Sequence, residues 1–244
     1  MGKSILITSG KGGSGKSSLS AGLAMCLARQ GKSVLLIDLD SGLRCQDLLL
    51  GLSQNIVFDL SDVLSGTATL QSASVASPLF GGVSLLSAPL EVADIDGAKL
   101  RELTQQAAEK NDFILLDCPA GFDGGFAAGA AAADCAIVVV TPDPVGIRDA
   151  NNTRRALAPF RLHSGLVINK FDRKLIGTKY CPDIDDIVDQ TGIRLLGIVP
   201  VDENIPRMGA LGQPLNSGKA LPAIERISKR ISNIEVPLPP IGRI

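Results

Sequence analysis

Short, wholly apolar runs recur along the chain without alternating with polar residues. They are ILI from Ile5, VLLI from Val34, VSLL from Val83, FILL from Phe113, AIVVV from Ala136, LVI from Leu166 and LLGIV from Leu195. Such runs predict strands buried on both faces, as in a parallel sheet. Segments with helical spacing lie between them. Leu19, Leu23, Cys26 and Leu27 mark one helix, and Leu100, Leu103 and Ala107 another. The Ala/Gly-rich stretch from Gly121 to Ala133 predicts a tightly packed third. This alternation predicts an α/β domain: a mainly parallel sheet covered by helices on both faces. No boundary signal, repeat or linker interrupts it. Residues 1–235 therefore read as one domain, followed by a short Pro-rich tail over 236–244.

The ends of the runs carry the chemistry. VLLI ends in Asp38, FILL in Asp117, AIVVV in Thr141, LVI in Asn169 and LLGIV in Pro200. Open α/β sheets bind ligands at the carboxyl ends of their strands. The first run leads into SGKGGSGKSSL, where Gly10, Gly15, Lys16 and Ser17 satisfy the phosphate-loop spacing G-x-x-x-x-G-K-[ST]. A strand before the loop and a helix after it are the context that supports the motif. Its glycines let backbone N–H groups turn toward phosphate oxygens, and the helix N-terminus adds its positive end. Lys16 would reach the β- and γ-phosphates, and Ser17 would place its hydroxyl on Mg²⁺.

Asp117 opens DCPAG at a strand end, where a carboxylate can serve Mg²⁺ directly or through water. Asp38 and Asp40, in IDLD, would lie on one side of their strand by alternation. Two carboxylates beside a phosphate site suit one for the metal shell and one to orient the attacking water. Lys11 is surplus to this scheme.

Composition narrows the partners. The chain has 244 residues, with 24 Lys+Arg against 25 Asp+Glu, so no global charge draws it to nucleic acid or an acidic membrane. A sequence-local basic group, from Arg148 to Lys174, reads as a solvated face. Trp is absent and Tyr180 is the one tyrosine, which speaks against a base-stacking surface and against a tyrosine-kinase relative. The five cysteines form no C-x-x-C pair, so they read as reduced thiols in a cytoplasmic protein rather than as a cluster carrier's ligands. No apolar run is long enough to span a bilayer. His163, the one histidine, reads as structural or surface.

GKGGSGKS resembles the deviant phosphate loop of the MinD/ParA family of ATPases. VLLIDLDSGLRCQDLLLGL, DCPAGFDGG, TPDPVGIRDANNTRRAL and LLGIVPVDENI are similar to successive segments of the MinD branch, in order, to about Leu215. The resemblance implies an ATP-dependent homodimer with Mg²⁺ and two nucleotides at its interface. Lys11 would cross to the partner's ATP, completing a catalytic set with Lys16 and Asp40. Gly10, Lys11, Gly12, Gly13, Ser14, Gly15, Lys16, Ser17 and Ser18 would bind the phosphates; Asn169, Pro200 and Asp202 would lie at the base. Ser17, Asp38 and Asp117 would form the metal site, and Gly121 would sit in the second switch. Arg44, Asp47, Arg148 and Asp149 would lie near the dimer or partner surface.

The implied task is placement of a partner or cargo protein, in division-septum positioning or in a flagellar-number or DNA-partition role. An amidoligase or dethiobiotin-type synthetase of the same fold, and a non-catalytic scaffold, are the other classes. Three departures from the family pattern stand out. Cys45 occupies a usual Asn position. The C-terminal segment LPAIERISKRIS reads as a core helix, with no membrane-targeting helix after it. Membrane association, at the inner face of the cell membrane, is then left to a weaker contact or another protein. Finally, NKFD, Asn169 to Asp172, spells the N-x-x-D guanine pattern, which sets GTP against ATP.

Overall fold

The computed structural model describes residues 2–178 and 181–240. Tyr180 and the last four residues of the tail lie outside them. The first half of the chain forms β1 (Lys3–Thr8), α1 (Lys16–Ala28), β2 (Val34–Asp38), α2 (Gln46–Leu49), α3 (Leu60–Ser65), α4 (Leu70–Ala73), β3 (Val75–Ala76), β4 (Val83–Leu86), α5 (Gly97–Ala107) and β5 (Phe113–Asp117). The second half forms α6 (Gly124–Ala132), β6 (Cys135–Val140), α7 (Pro144–Leu157), β7 (His163–Phe171), α8 (Ile184–Thr191), β8 (Arg194–Pro200), α9 (Asn204–Leu211) and α10 (Ala220–Ile231).

Among the described residues the strands form one sheet, ordered β3-β4-β2-β5-β1-β6-β7-β8. Every neighbouring pair is parallel except β3 with β4. The sheet grows to one side of β1 as far as β5, then to the other side from β6 onward. Strand order therefore reverses at β1, and the ligand crevice of such sheets opens beyond the strand ends there.

Alternate residues of the apolar runs face opposite layers. Leu6, Ile37, Leu116 and Val138 pack on one side, with Leu100 and Leu103 of α5, Phe126 of α6 and Ile147 of α7. Ile5, Ile7, Leu36, Leu115 and Val139 pack on the other, with Leu19 and Leu23 of α1 and Ile224 and Ile227 of α10. Two-sided burial is why the runs are continuous. Gly129 of α6 lies so close to β1 that a Cβ there would stand 2.7 Å from Leu6 Cδ1.

Helix α10 buries Ala223, Ile224, Ile227 and Ile231, so LPAIERISKRIS is a covering helix of the core. In its last turn, Arg230 donates from Nε to the Val236 carbonyl of the tail at 2.9 Å and from a second nitrogen to the Leu196 carbonyl at 2.6 Å. No helix among the described residues is long and apolar enough to cross a membrane.

Two elements differ from the apolar pattern. Strand β7 continues past Asn169 to Phe171, but Lys170 takes a left-handed φ of 57° and the pairing with β8 shifts register there. Strand β3, the antiparallel edge, has only two residues, too few to show a pattern.

Candidate functional site

The loop between β1 and α1 turns on glycines. Gly13 has φ 74° and Gly15 φ 89°, a region that side chains resist. Ser9 Oγ bonds Ser14 Oγ at 2.8 Å and donates to the Lys11 carbonyl at 2.8 Å, bracing the loop from beneath. From β7, Asn169 Nδ2 donates to the Ser14 carbonyl at 2.7 Å and Lys170 Nζ to the Gly13 carbonyl at 2.7 Å. The irregular turn of β7 is what aims these two side chains at the loop. A Cβ on Gly15 would collide with Asn169 Nδ2, and one on Gly10 would stand 2.8 Å from Asp149 Cβ of α7. Gly12 lies against Ala120 of the DCPAG turn, its notional Cβ 4.0 Å from that methyl.

Asp38 and Asp117 are register partners across β2 and β5, and both are fully buried. Asp117 accepts from Ser20 Oγ at 2.8 Å and from Gln46 Nε2 at 2.6 Å. Asp38 accepts from the backbone N–H groups of Asp40, at 2.9 Å, and Gln46, at 3.2 Å. Burial pushes the Asp38 carboxyl up to about 7, and the neighbouring Asp117 charge adds to the rise. Burial raises Asp117 too, against hydrogen bonds from Gln46, Ser17 and Ser20 and the charge of Lys16. Asp40 is raised by burial and pulled back by Lys16. Strand β2 ends at Asp38, so Asp40 reaches this cluster from the following turn rather than from the strand face. Lys16 is buried at the start of α1.

Lys11 points elsewhere. Its ammonium pairs with Asp143 of the same chain, 3.1 Å from Oδ2 and 3.3 Å from Oδ1. Asp143 is the N-cap of α7, accepting from the Gly146 N–H at 2.9 Å, and it also accepts from the Thr141 hydroxyl. Burial alone would raise its carboxyl. The hydrogen bonds from Thr141, Gly146 and Lys11, with the Lys11 charge, hold it below the usual range.

Several expected residues are placed differently from a simple surface or base contact. Arg44 and Asp47 pair with each other at 3.0 Å with side chains 10% and 9% exposed, so they face inward. The turn places Arg44 at φ 39° and the pair closes it. Arg148 is exposed on α7, whereas Asp149 lies against Gly10. Gly121, at φ 91°, bends the chain between β5 and α6. Pro200 is buried at the end of β8. The Asp202 carboxylate is used locally, accepting from Asn204 N and Nδ2 at 2.9 Å and from Ala220 N at 2.8 Å. Cys45 is half-buried. Burial pushes its thiol up to about 12, with a hydrogen bond from Ser17 opposing.

Sequence reasoning missed Asp143, Ser20, Lys170 and Gln46. Asp143 had a signal, since Asp followed by Pro marks a helix start. Lys170 lies in NKFD and Gln46 in the segment after β2, but their contacts, like those of Ser20, left no signal because what they touch lies far along the chain.

The CobQ/CobB/MinD/ParA nucleotide binding domain matches residues 5–215. A septum site-determining protein MinD from Synechocystis is 35% identical, over 97% of this chain and 92% of its own. The chain belongs to the MinD/ParA family. Its fold agrees with solved members of that family. A chain of the MinC:MinD cell division protein complex from Aquifex aeolicus superposes with a TM-score of 0.89 at 33% identity, covering 98% of both chains. The septum site-determining protein MinD from Pyrococcus horikoshii, complexed with Mg-ADP, gives 0.84 at 28% identity, covering 95% of this chain and 96% of its own. As a MinD/ParA-family protein the chain is a nucleotide-binding ATPase built on one α/β domain.

Proposed function

We propose that this ATPase is a MinD-like switch: ATP closes a homodimer, the dimer positions a partner protein, and hydrolysis releases it. The observation that carries the reading is the second lysine. Lys16 is buried at the start of the phosphate-loop helix, while Lys11 is partly exposed and held away by Asp143. A lysine so placed is available to a second copy. Leu43, Leu90, Val92 and Phe122, all exposed, lie on loops at the carboxyl edge of the sheet and offer apolar surface to cover. The turn at Gly42 touches the Leu90–Val92 loop through a hydrogen bond to the Pro89 carbonyl at 3.1 Å.

In this reading Lys11 enters the partner's site and neutralises charge on the transferring phosphoryl group, as an arginine finger does. Asp40, beside Lys16, orients the attacking water. The buried carboxyls of Asp38 and Asp117 with the Ser17 hydroxyl fit a divalent cation, since two adjacent buried carboxyls do not both ionise readily without one. When bound, Mg²⁺ supplies charge neutralisation to the phosphates. The base would enter the open cleft of about 610 Å³ lined by Phe171, Asp172, Pro200 and Val201. Asp202 shapes that cleft by fixing the backbone from 202 to 220. Kinship with MinD, and with a chain solved in a MinC:MinD complex, supports division-septum placement and a regulatory protein partner.

Size-exclusion chromatography with light scattering tests the switch. Asp40→Ala is expected to accumulate as a dimer with ATP and to stay monomeric with ADP. A monomer in both nucleotides would overturn the reading.

A further inference from the structure

Gln46 lies in the family-like segment after β2 but has no role among the site residues expected there, yet its side chain is fully buried inside the site. It opens α2, and its backbone N–H already holds Asp38. Its Nε2 donates to Asp117 Oδ2 at 2.6 Å and to the Ser17 carbonyl at 3.1 Å. A carboxamide nitrogen has two N–H donors, and both are taken by atoms that only accept. The amide orientation is therefore set by chemistry, because the reverse would aim its oxygen at a carboxylate and a carbonyl.

The consequence falls on the other end of the amide. Gln46 Oε1 is buried and has no hydrogen-bond partner among the described residues. A buried acceptor left unpaired is costly, and an apolar residue of the same length would fill the space without that cost. The amide lies between the first turn of α1 and the Asp38–Asp117 pair.

We propose that Gln46 is a positioning residue of the cation site. Its Nε2 fixes the Asp117 carboxylate against the phosphate-loop helix, and its Oε1 accepts a hydrogen bond from water carried by bound Mg²⁺. Mg²⁺ gives up water reluctantly and is held by few carboxylates, so its shell needs outer acceptors. The inference rests on the Mg²⁺–nucleotide reading given above and adds a residue to it.

The test titrates a fluorescent ADP analogue into the full chain, in EDTA and at graded Mg²⁺. Gln46→Met should leave affinity in EDTA within about twofold, while the Mg²⁺ concentration for half-maximal tightening rises about tenfold or more. Gln46→Glu loses the Nε2 donor and sets another carboxylate against Asp117, so it should disturb Mg²⁺ coupling too rather than restore it. A structural role alone would shift binding equally with and without the metal, and that result would overturn the proposal. So would Mg²⁺ coupling left at wild-type strength in Gln46→Met. If the wild type itself showed no Mg²⁺-dependent tightening, the parent reading would fall instead.

Discussion

Lys11 Nζ stands 3.1 Å from the carboxylate of Asp143 in its own chain, a contact between residues 132 positions apart. The same carboxylate caps α7, so one side chain both starts a helix and restrains the surplus lysine. Asp143→Ala should lower stability by about 1 kcal/mol through the lost cap. It should also lower the ATP concentration needed for dimerisation, by no more than about fivefold, since half-exposed ion pairs are worth about 1 kcal/mol or less. Thermal scans and light scattering at graded ATP read the two effects separately. A dimerisation midpoint that does not move would show that the pair restrains nothing.

Lys11→Ala should reduce kcat by about three orders of magnitude or more while ATP affinity changes only a few-fold. Single-turnover hydrolysis beside equilibrium binding makes the comparison. Parallel loss of both would make Lys11 an ordinary phosphate contact within one chain.

Gly15→Ala should abolish nucleotide binding and destabilise the fold. Its φ of 89° costs an L-residue about 1–2 kcal/mol, and the new methyl would displace the Asn169 amide. Denaturant unfolding and a nucleotide titration check this, and a variant that still binds would mean the loop tolerates rearrangement.

Stability without metal should fall as pH rises toward neutrality. Asp38 keeps its proton in the folded state up to about 7, against an ordinary value of 3.8. Between those values the unfolded chain binds fewer protons than the folded one, so the slope of stability with pH is negative; above about 7 it levels. Asp112, Asp143 and Asp202 lie below their ordinary range and act oppositely, but only in the acid range. Calorimetry in EDTA should show this decline, and Asp38→Asn should make it shallower, with Asp40 and Asp117, also raised by burial, supplying the remainder. An unchanged slope in that variant would place the proton elsewhere.

ATP should stabilise the chain more than GTP. The Asp172 carboxylate accepts from the backbone N–H of Lys174 at 2.9 Å, and the Asn169 amide is spent on the loop at Ser14. Thermal shift against the two nucleotides decides it, and an equal or greater shift with GTP would restore the guanine reading of NKFD.

The strands, the glycine loop and the strand-end carboxylates were legible from the amino-acid order. Each depends on near neighbours: a continuous apolar run, a fixed motif spacing, a polar residue at a run's end. The pairing of Asp38 with Asp117 needed the sheet order, because nothing local says that β2 lies beside β5. That Arg44 and Asp47, expected near a dimer or partner surface, close an ion pair needed the folded turn. So did the hydrogen bonds by which the Asp202 carboxylate fastens its own loop. The role of Gln46 was invisible, since an amide in a sequence shows neither its burial nor its unpaired oxygen. The sequence alone determined that a nucleotide loop sits at the carboxyl end of a strand in a parallel sheet, because local periodicity and backbone freedom decide that. Only the tertiary structure decided which side chains face the loop, because burial and hydrogen bonding between distant segments exist only once the layers have packed.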